Sequence, residues 1–133
     1  MKVLVVIENI DERTGGGATE RARQLANEFS IKGNEVSILT TNANLSKTNE
    51  QITNIHKNVK MEVLSCISKR YYMPYPRIFK INKIIKNTDF VHIINHWTTL
   101  NILVFFFIKL NKKKYSISPL GSLSIFGRSK IIK

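Results

Sequence analysis

The stretch that decides the fold is KVLVVIENIDERTGGGATERARQLANEFSIKGNEVSILTT, residues 2–41. Its first run, Lys2–Glu8, is apolar and rich in valine, which predicts a strand buried on both faces, as in a parallel sheet. Ala18–Lys32 places its apolar residues mainly on one face at helical spacing, and Gly33 suits a helix C-cap. Because Glu35–Thr41 predicts a second strand, the stretch indicates a βαβ unit with a right-handed crossover.

The rest of the chain continues to alternate strands with helices. Strand, helix, strand, helix and strand are predicted in turn over Lys60–Ser65, Arg77–Lys86, Asp89–Asn95, Thr98–Leu110 and Lys114–Ser118. The polar segment Asn42–Asn58 and the proline-containing segment Ser68–Pro76 are predicted connections. This alternation predicts one α/β domain over residues 1–133, a Rossmann-like, doubly wound, mostly parallel sheet in a three-layer αβα arrangement.

The two later helices differ in their predicted burial. Residues 77–86 predict an amphipathic helix whose apolar face is formed by Ile78, Ile81 and Ile85 and whose other face is basic. Thr98–Leu110 is apolar almost throughout and predicts a helix buried on most sides. Its apolar run is nevertheless far shorter than the roughly 20 residues that cross a bilayer.

The charge of the chain limits its partners. Its 133 residues carry 21 Lys and Arg against 9 Asp and Glu, a formal net charge of +12. That excess attracts nucleic acid, anionic lipid headgroups or phosphorylated metabolites, although a codon bias towards lysine would also produce it. No helix-turn-helix pattern or basic strand interleaved with aromatic residues accompanies the charge, so nucleic acid is not an expected partner. The lone Cys66 excludes an intrachain disulfide.

Two basic groups are candidates for contact with a membrane. The basic face of residues 77–86 and the run Lys112–Lys114 would suit anionic lipid headgroups or a lipid-linked acceptor, and a merely solvated surface is the alternative. The N-terminal apolar run is too short for the core of a signal peptide. The sequence therefore predicts a cytoplasmic protein, with the inner face of the membrane as a further candidate location.

Three consecutive glycines, Gly15, Gly16 and Gly17, stand between the first strand and the first helix. In a doubly wound sheet, ligands bind beyond the carboxyl ends of the strands. A helix N-terminus there favours an anion, typically phosphate, and glycine lets the ligand approach the backbone. GGGATE does not match the dinucleotide fingerprint or the P-loop. The glycines therefore predict either a phosphate-binding loop or a plain flexible connector.

Four segments in this order resemble the N-terminal domain of family 4 glycosyltransferases of the GT-B fold: MKVLVVIEN, GGGATERARQLANEFSIKGNEVSILTT, DFVHIINHWT and SPLGSLSIFGRSK. In that family a glycine-rich loop follows the first strand, and a turn like G-H-E-V enters the second. The fourth strand is similar to D-V-V-H-x-H, and the fifth ends in S-P-x-G. The resemblance covers nearly the whole chain apart from residues 42–77, and it rests on order and spacing.

The resemblance implies hexosyl transfer from a nucleotide-activated sugar to an acceptor hydroxyl, in the synthesis of cell-surface polysaccharide or lipid-linked glycans. It implies that Gly15, Gly16 and Gly17 bind the diphosphate of the donor, with no metal or other cofactor. The family's C-terminal domain, which grips the donor sugar and ribose with paired glutamates, is not among residues 1–133. The resemblance therefore predicts an incomplete acceptor-side half, inactive without that domain or a separate catalytic chain.

The acceptor-binding residues that the resemblance implies are His96, Trp97, Gly121 and Arg128. Trp97 would stack on a sugar ring, with a core position that caps the apolar helix as the alternative. His96, the one candidate catalytic residue, would bond to hydroxyls. Arg128 would neutralise an acceptor phosphate, with the start of a solvated helix as the alternative, and Gly121 belongs to the S-P-x-G turn. His92, within the fourth strand, is predicted to be a hydrogen-bonded core histidine. A second class of function stays open, a non-catalytic α/β binding or regulatory subunit with a basic surface.

Overall fold

The chain folds into a five-stranded parallel sheet between helical layers. The structure is a computed structural model, and it describes residues 1–43, 54–68, 70–74, 78–95 and 98–120. Its elements in chain order are β1 (Lys2–Val6), α1 (Gly16–Ile31), β2 (Glu35–Thr41), β3 (Lys60–Leu64), β4 (Cys66–Ser68), β5 (Met73–Pro74), α2 (Ile78–Lys86), β6 (Phe90–Ile94), α3 (Thr99–Leu110) and β7 (Lys114–Ser118).

The strand order of the sheet is β3-β2-β1-β6-β7, and every neighbouring pair is parallel. The chain moves outward from β1 through β2 to β3, and it then returns to place β6 on the other side of β1. This reversal is the topological switch point of a doubly wound sheet. The predicted fold class, a Rossmann-like αβα arrangement, is confirmed.

The central strand β1 supplies both hydrophobic cores because its successive side chains point to opposite faces of the sheet. On one face it packs with α1, in a cluster that includes Val3, Val5, Ala22, Ala26 and Ile38. On the other face it packs with α2 and α3, in a cluster that includes Leu4, Val6, Ile81, Val104 and Ile108. The four apolar residues of β1 are at most 2 % exposed, which explains the uninterrupted apolar run.

The end of α1 sets the start of β2 by local hydrogen bonds. Gly33 has a φ of 83°, and its N–H donates to the carbonyl of Ser30 at 3.0 Å. The N–H of Asn34 donates to the carbonyl of Phe29 at 3.1 Å, which completes a Schellman motif. The predicted glycine C-cap is therefore confirmed, and β2 occupies the predicted residues.

Two local predictions are wrong. The predicted connection Ser68–Pro76 overlaps a small antiparallel pair, in which Cys66 lies opposite Pro74. The predicted amphipathic helix α2 is present and buries Ile81 and Ile85, whereas Ile78 in its first turn is 44 % exposed. The helix predicted to be buried on most sides, α3, buries one face only, and Ile102, Phe106 and Leu110 on its outer face are 60, 60 and 61 % exposed. Among the described residues, no element covers that face.

Candidate functional site

The candidate site lies where β1 and β6 end at the switch point of the sheet. After β1 the chain crosses a short loop and enters α1 at Gly16, while β6 ends beside it at Ile94. Because β1 connects through α1 to β2 on one side and β6 connects through α3 to β7 on the other, this is the edge at which doubly wound sheets bind ligands. The predicted glycine loop is at this edge of the sheet.

The loop that precedes α1 is fixed by its own side chains. Asp11 is buried, and its carboxylate accepts hydrogen bonds from the backbone N–H of Arg13 at 3.1 Å and from the Thr14 hydroxyl at 2.9 Å. The Asn9 side chain donates to the Thr14 hydroxyl at 2.9 Å and accepts from the N–H of Asp11 at 3.0 Å. This network argues against a plain flexible connector.

The hydrogen bonds of this loop favour the ionised form of Asp11. Burial by itself opposes ionisation, yet the hydrogen bonds from the Arg13 N–H and the Thr14 hydroxyl, with the nearby Arg13 guanidinium, lower the pKa of Asp11 below its ordinary value. A lowered carboxyl pKa stabilises the folded chain above the unfolded pKa, and that stabilisation is lost as the pH falls through the folded pKa. The loop is therefore held by an ionised aspartate at neutral pH.

The three glycines have different roles. Gly15 is the N-cap of α1, its N–H donates to the carbonyl of Asp11 at 2.8 Å, and a Cβ there would lie 1.7 Å from the Thr19 hydroxyl oxygen. That hydroxyl in turn donates to the carbonyl of Asn9 at 2.8 Å. At Gly16, whose φ is 55°, and at Gly17, a Cβ would meet nothing within 4 Å. Gly15 therefore serves packing, whereas Gly16 and Gly17 leave the backbone open to a ligand.

The first turn of α1 is open to an anion. No side chain of the described residues caps it, and it contains no acidic residue. The first N–H groups of a helix have no partner within the helix, and the helix dipole favours negative charge at this end. The nearest acid along the helix, Glu20, lies one turn further on, where its carboxylate bonds to Arg23 and to Gln24. An anion approaching Gly16 and Gly17 therefore meets no carboxylate of the first turn.

A buried carboxyl at the same edge was not among the predicted site residues. Glu8 follows β1, and its Oε1 accepts a hydrogen bond from the side chain of Asn95, just after β6, at 2.7 Å. Its Oε2 is buried with no partner among the described residues. Burial raises the pKa of Glu8 in spite of its hydrogen bonds. An acid directly after a buried strand at the switch point is the sequence signal that would have identified it.

Glu8→Gln is expected to flatten the dependence of stability on pH. Because the folded pKa of Glu8 is raised, the folded chain binds the extra proton, and its stability falls as the pH rises from the ordinary value of 4.5 through the folded pKa. The glutamine keeps an acceptor for Asn95 without the charge. The variant should therefore be more stable near neutral pH, by on the order of 1 kcal/mol.

Urea unfolding of both proteins across that pH range measures the difference. Glu28→Gln, at an exposed position of α1, is the matched control and should follow the wild-type curve. A Glu8→Gln curve parallel to that of the wild type would contradict the raised pKa of Glu8.

His92 is held by the neighbouring strand. Its ring Nδ1 lies 2.6 Å from the Ser116 hydroxyl, and its Nε2 lies 3.1 Å from the Ser118 hydroxyl. Burial, and then the charge of Arg21, lower the pKa of His92, so the neutral ring is favoured. Both ring nitrogens are bonded within the half-buried interior, which fits the predicted structural role.

The predicted site residues fall into two groups. Gly15, Gly16 and Gly17 lie at the carboxyl edge as expected, although the N–H of Gly15 is already used by Asp11. The other predicted site residues lie outside the described residues: His96, Trp97, Gly121 and Arg128.

A second concave surface lies at the opposite edge of the sheet. A cleft of about 560 Å³ is lined there by the first residues of β1, β2 and β3 and by α2. Its charged side chains are paired in part, since Lys60 and Lys80 lie 2.7 and 3.3 Å from the carboxylate of Glu62. The hydrogen bond from Lys60 is the main reason that the pKa of Glu62 is lowered. Because its lining has four lysines against two glutamates, this cleft is an alternative candidate for anion binding.

Comparison with known proteins does not assign the chain to a family. No family model matches the chain, and no curated protein matches it in sequence. The resemblance to family 4 glycosyltransferases therefore stays a prediction. Within the described ranges, no helix has both the length and the apolar character needed to cross a membrane.

Proposed function

We propose that the chain is the acceptor-side domain of a nucleotide-sugar-dependent glycosyltransferase, in which the start of α1 binds the diphosphate of the donor. The observation that carries this proposal is the uncapped helix N-terminus at Gly16 and Gly17, at the switch point of a parallel sheet. Such a terminus presents N–H donors and a positive dipole end to phosphate oxygens. That the diphosphate belongs to a nucleotide-sugar is inferred from the sequence resemblance to family 4 glycosyltransferases.

The start of α1 would assist transfer by stabilising the leaving group. As the bond between the anomeric carbon and the phosphate oxygen breaks, negative charge grows on the diphosphate, and fixed N–H donors stabilise that charge without reorganising. The acceptor oxygen forms the new bond to the anomeric carbon, and its proton passes to the departing diphosphate. Glu8 Oε2, buried and without a partner among the described residues, would bond to a hydroxyl of the bound sugar. His96, Trp97, Gly121 and Arg128 stay candidates for the acceptor, and no metal is invoked.

Binding is the first test of this proposal. The ¹⁵N-labelled chain is titrated with nucleoside diphosphate hexoses that differ in base and sugar. With at least one of them, we expect saturable shifts of the Gly16 and Gly17 amide signals and none at Gly33, the glycine at the other end of α1. Shifts confined to Lys60, Lys80 and Lys83 would instead assign anion binding to the opposite cleft.

Turnover separates the two classes of function. The chain alone is expected to bind the nucleotide-sugar without transferring or hydrolysing it, because the proposal leaves most of the donor contacts to another domain. Adding a catalytic C-terminal domain, in the same polypeptide or as a separate chain, should produce transfer. Binding that never leads to transfer with any such domain would favour the alternative, a non-catalytic binding or regulatory subunit. An enzyme-like rate from this chain alone would contradict the assignment as one half of the site.

A further inference from the structure

The net positive charge of the chain comes entirely from its second half. Residues 1–62 contain eight basic and eight acidic residues, whereas residues 63–133 contain thirteen basic residues and a single acid, Asp89. A codon bias towards lysine would raise the basic count throughout and would not remove acids from one half. The carboxylate of Asp89 is already engaged within the fold, since its Oδ2 accepts a hydrogen bond from the backbone N–H of Lys2 at 2.7 Å.

The layer formed by α2 and α3 presents apolar side chains and lysines outward. On α2, Phe79 is 89 % exposed and shares a helical stripe with the exposed Lys83 and Lys86. On α3, the exposed Ile102, Phe106 and Leu110 recur every four residues and form a parallel apolar stripe. We call these six residues the α2–α3 outer surface.

Contacts between the two helices make this surface one unit. The Asn111 side chain, after α3, donates to the Asn82 side chain of α2 at 2.8 Å. The Lys113 ammonium donates to the Lys86 carbonyl at the end of α2, also at 2.8 Å. Lys109 is held over the Tyr115 ring, 4.9 Å from its centroid. The lysines at this end of the helices are therefore part of an ordered framework.

We propose that the α2–α3 outer surface docks on an anionic lipid bilayer. An apolar stripe flanked by lysines is the pattern of a helix that lies in the membrane interface, with the apolar side chains among the acyl chains and the ammonium groups at the phosphates. α3 has 12 residues and is therefore about 18 Å long, too short to span a hydrocarbon core of about 30 Å. In the docked state, α3 would lie along the surface of the membrane.

Charge complementarity favours lipid over a second copy of the chain. A symmetric dimer through this surface would bring two copies of the same lysine-containing patch together, with no carboxylate among the described outer residues to offset the repulsion. Anionic headgroups supply the missing negative charge. This docking does not depend on the nucleotide-sugar site, and it would place that site beside the membrane, within reach of a lipid-linked acceptor.

Vesicle flotation of the full chain tests the docking. We expect binding to phosphatidylcholine vesicles that contain phosphatidylglycerol, weakened by salt, and little binding to phosphatidylcholine alone. Phe106→Ser should weaken binding about tenfold through lost apolar burial. The double variant Lys83→Gln/Lys86→Gln should weaken it by about fivefold for each lysine. All three positions are exposed, but the Phe106 ring packs edge to face on the buried Phe107, so circular dichroism verifies that the variants keep the fold.

Matched controls lie on the opposite side of the sheet. Ile31→Ser removes an apolar side chain that is 68 % exposed at the end of α1, and Lys32→Gln/Lys57→Gln removes two exposed charges. Both controls should bind vesicles as the wild type does. Equal losses in variants and controls, or no preference for phosphatidylglycerol, would overturn the proposal. A wild-type dimer that binds no vesicles and dissociates on Phe106→Ser would identify a second copy as the occupant instead.

Discussion

Gly15→Ala is expected to destabilise the chain by about 1–3 kcal/mol, whereas Gly17→Ala, two residues later, is expected to stabilise it by up to about 1 kcal/mol. The added methyl group at residue 15 would lie 1.7 Å from the Thr19 hydroxyl oxygen and 2.8 Å from the carbonyl oxygen of Asp11. At residue 17 it would meet nothing within 4 Å. The same substitution should therefore have opposite signs at two nearly adjacent positions.

No movement that removes the clash at residue 15 leaves the surrounding hydrogen bonds intact. Rotating the Thr19 side chain away breaks its hydrogen bond to the Asn9 carbonyl, and moving the Asp11 carbonyl breaks its bond from the Gly15 N–H. At residue 17, alanine has the higher helix propensity and loses less backbone entropy on folding.

Urea unfolding followed by circular dichroism measures both free energies, with Gly17→Ala as the matched control for Gly15→Ala. If the two variants were destabilised equally, the packing role of Gly15 would be contradicted. Gly16→Ala should fall between them, with a cost of about 1 kcal/mol for its positive φ.

Much of the fold could be predicted because its signals are local. The apolar run of β1, the helical spacing of α1 and the Schellman glycine at residue 33 lie within 40 residues, and each is set by neighbours in sequence. β2 and β7 occupy the predicted residues for the same reason. The alternation of strands with helices then leaves few topologies, because parallel crossovers share one hand.

The wrong predictions concern features that depend on distant partners. The β4–β5 pair has strands of three and two residues, too short for a periodic pattern, and one of them contains proline. The apolar composition of α3 indicates burial, but it cannot tell which faces have a partner. Here the sheet and α2 cover only one of them.

The roles of the residues at the candidate site also depend on contacts that the sequence does not reveal. Three identical glycines predict a common role, but Thr19 and Asp11 give Gly15 a packing role that Gly16 and Gly17 do not share. Glu8 and Asn95 are 87 residues apart, and only the pairing of β1 with β6 brings them together. The sequence predicts where the edge of the sheet lies, and the three-dimensional contacts decide which side chains line it.

Gly17→Ala is expected to weaken binding of the nucleoside diphosphate hexose by about 10- to 100-fold, the loss of one or two hydrogen bonds to a charged ligand. The open space beside Gly17 is where the proposal seats the diphosphate, so a methyl group there holds the phosphate oxygens away from the N–H donors. Isothermal titration calorimetry at a fixed salt concentration measures the dissociation constant. Gln24→Ala, at an exposed position two turns along α1, is the control and should bind as the wild type does.

Because Gly17→Ala is expected to be at least as stable as the wild type, weaker binding by this variant cannot be attributed to unfolding. The net charge of +12 is unchanged, so non-specific attraction of anions is the same in all three proteins. A selective loss in Gly17→Ala therefore reports contact at the start of α1. If Gly17→Ala bound the diphosphate as tightly as Gln24→Ala, the ligand would lie elsewhere, and the proposed role of the glycine loop would fail while the fold stood unchanged.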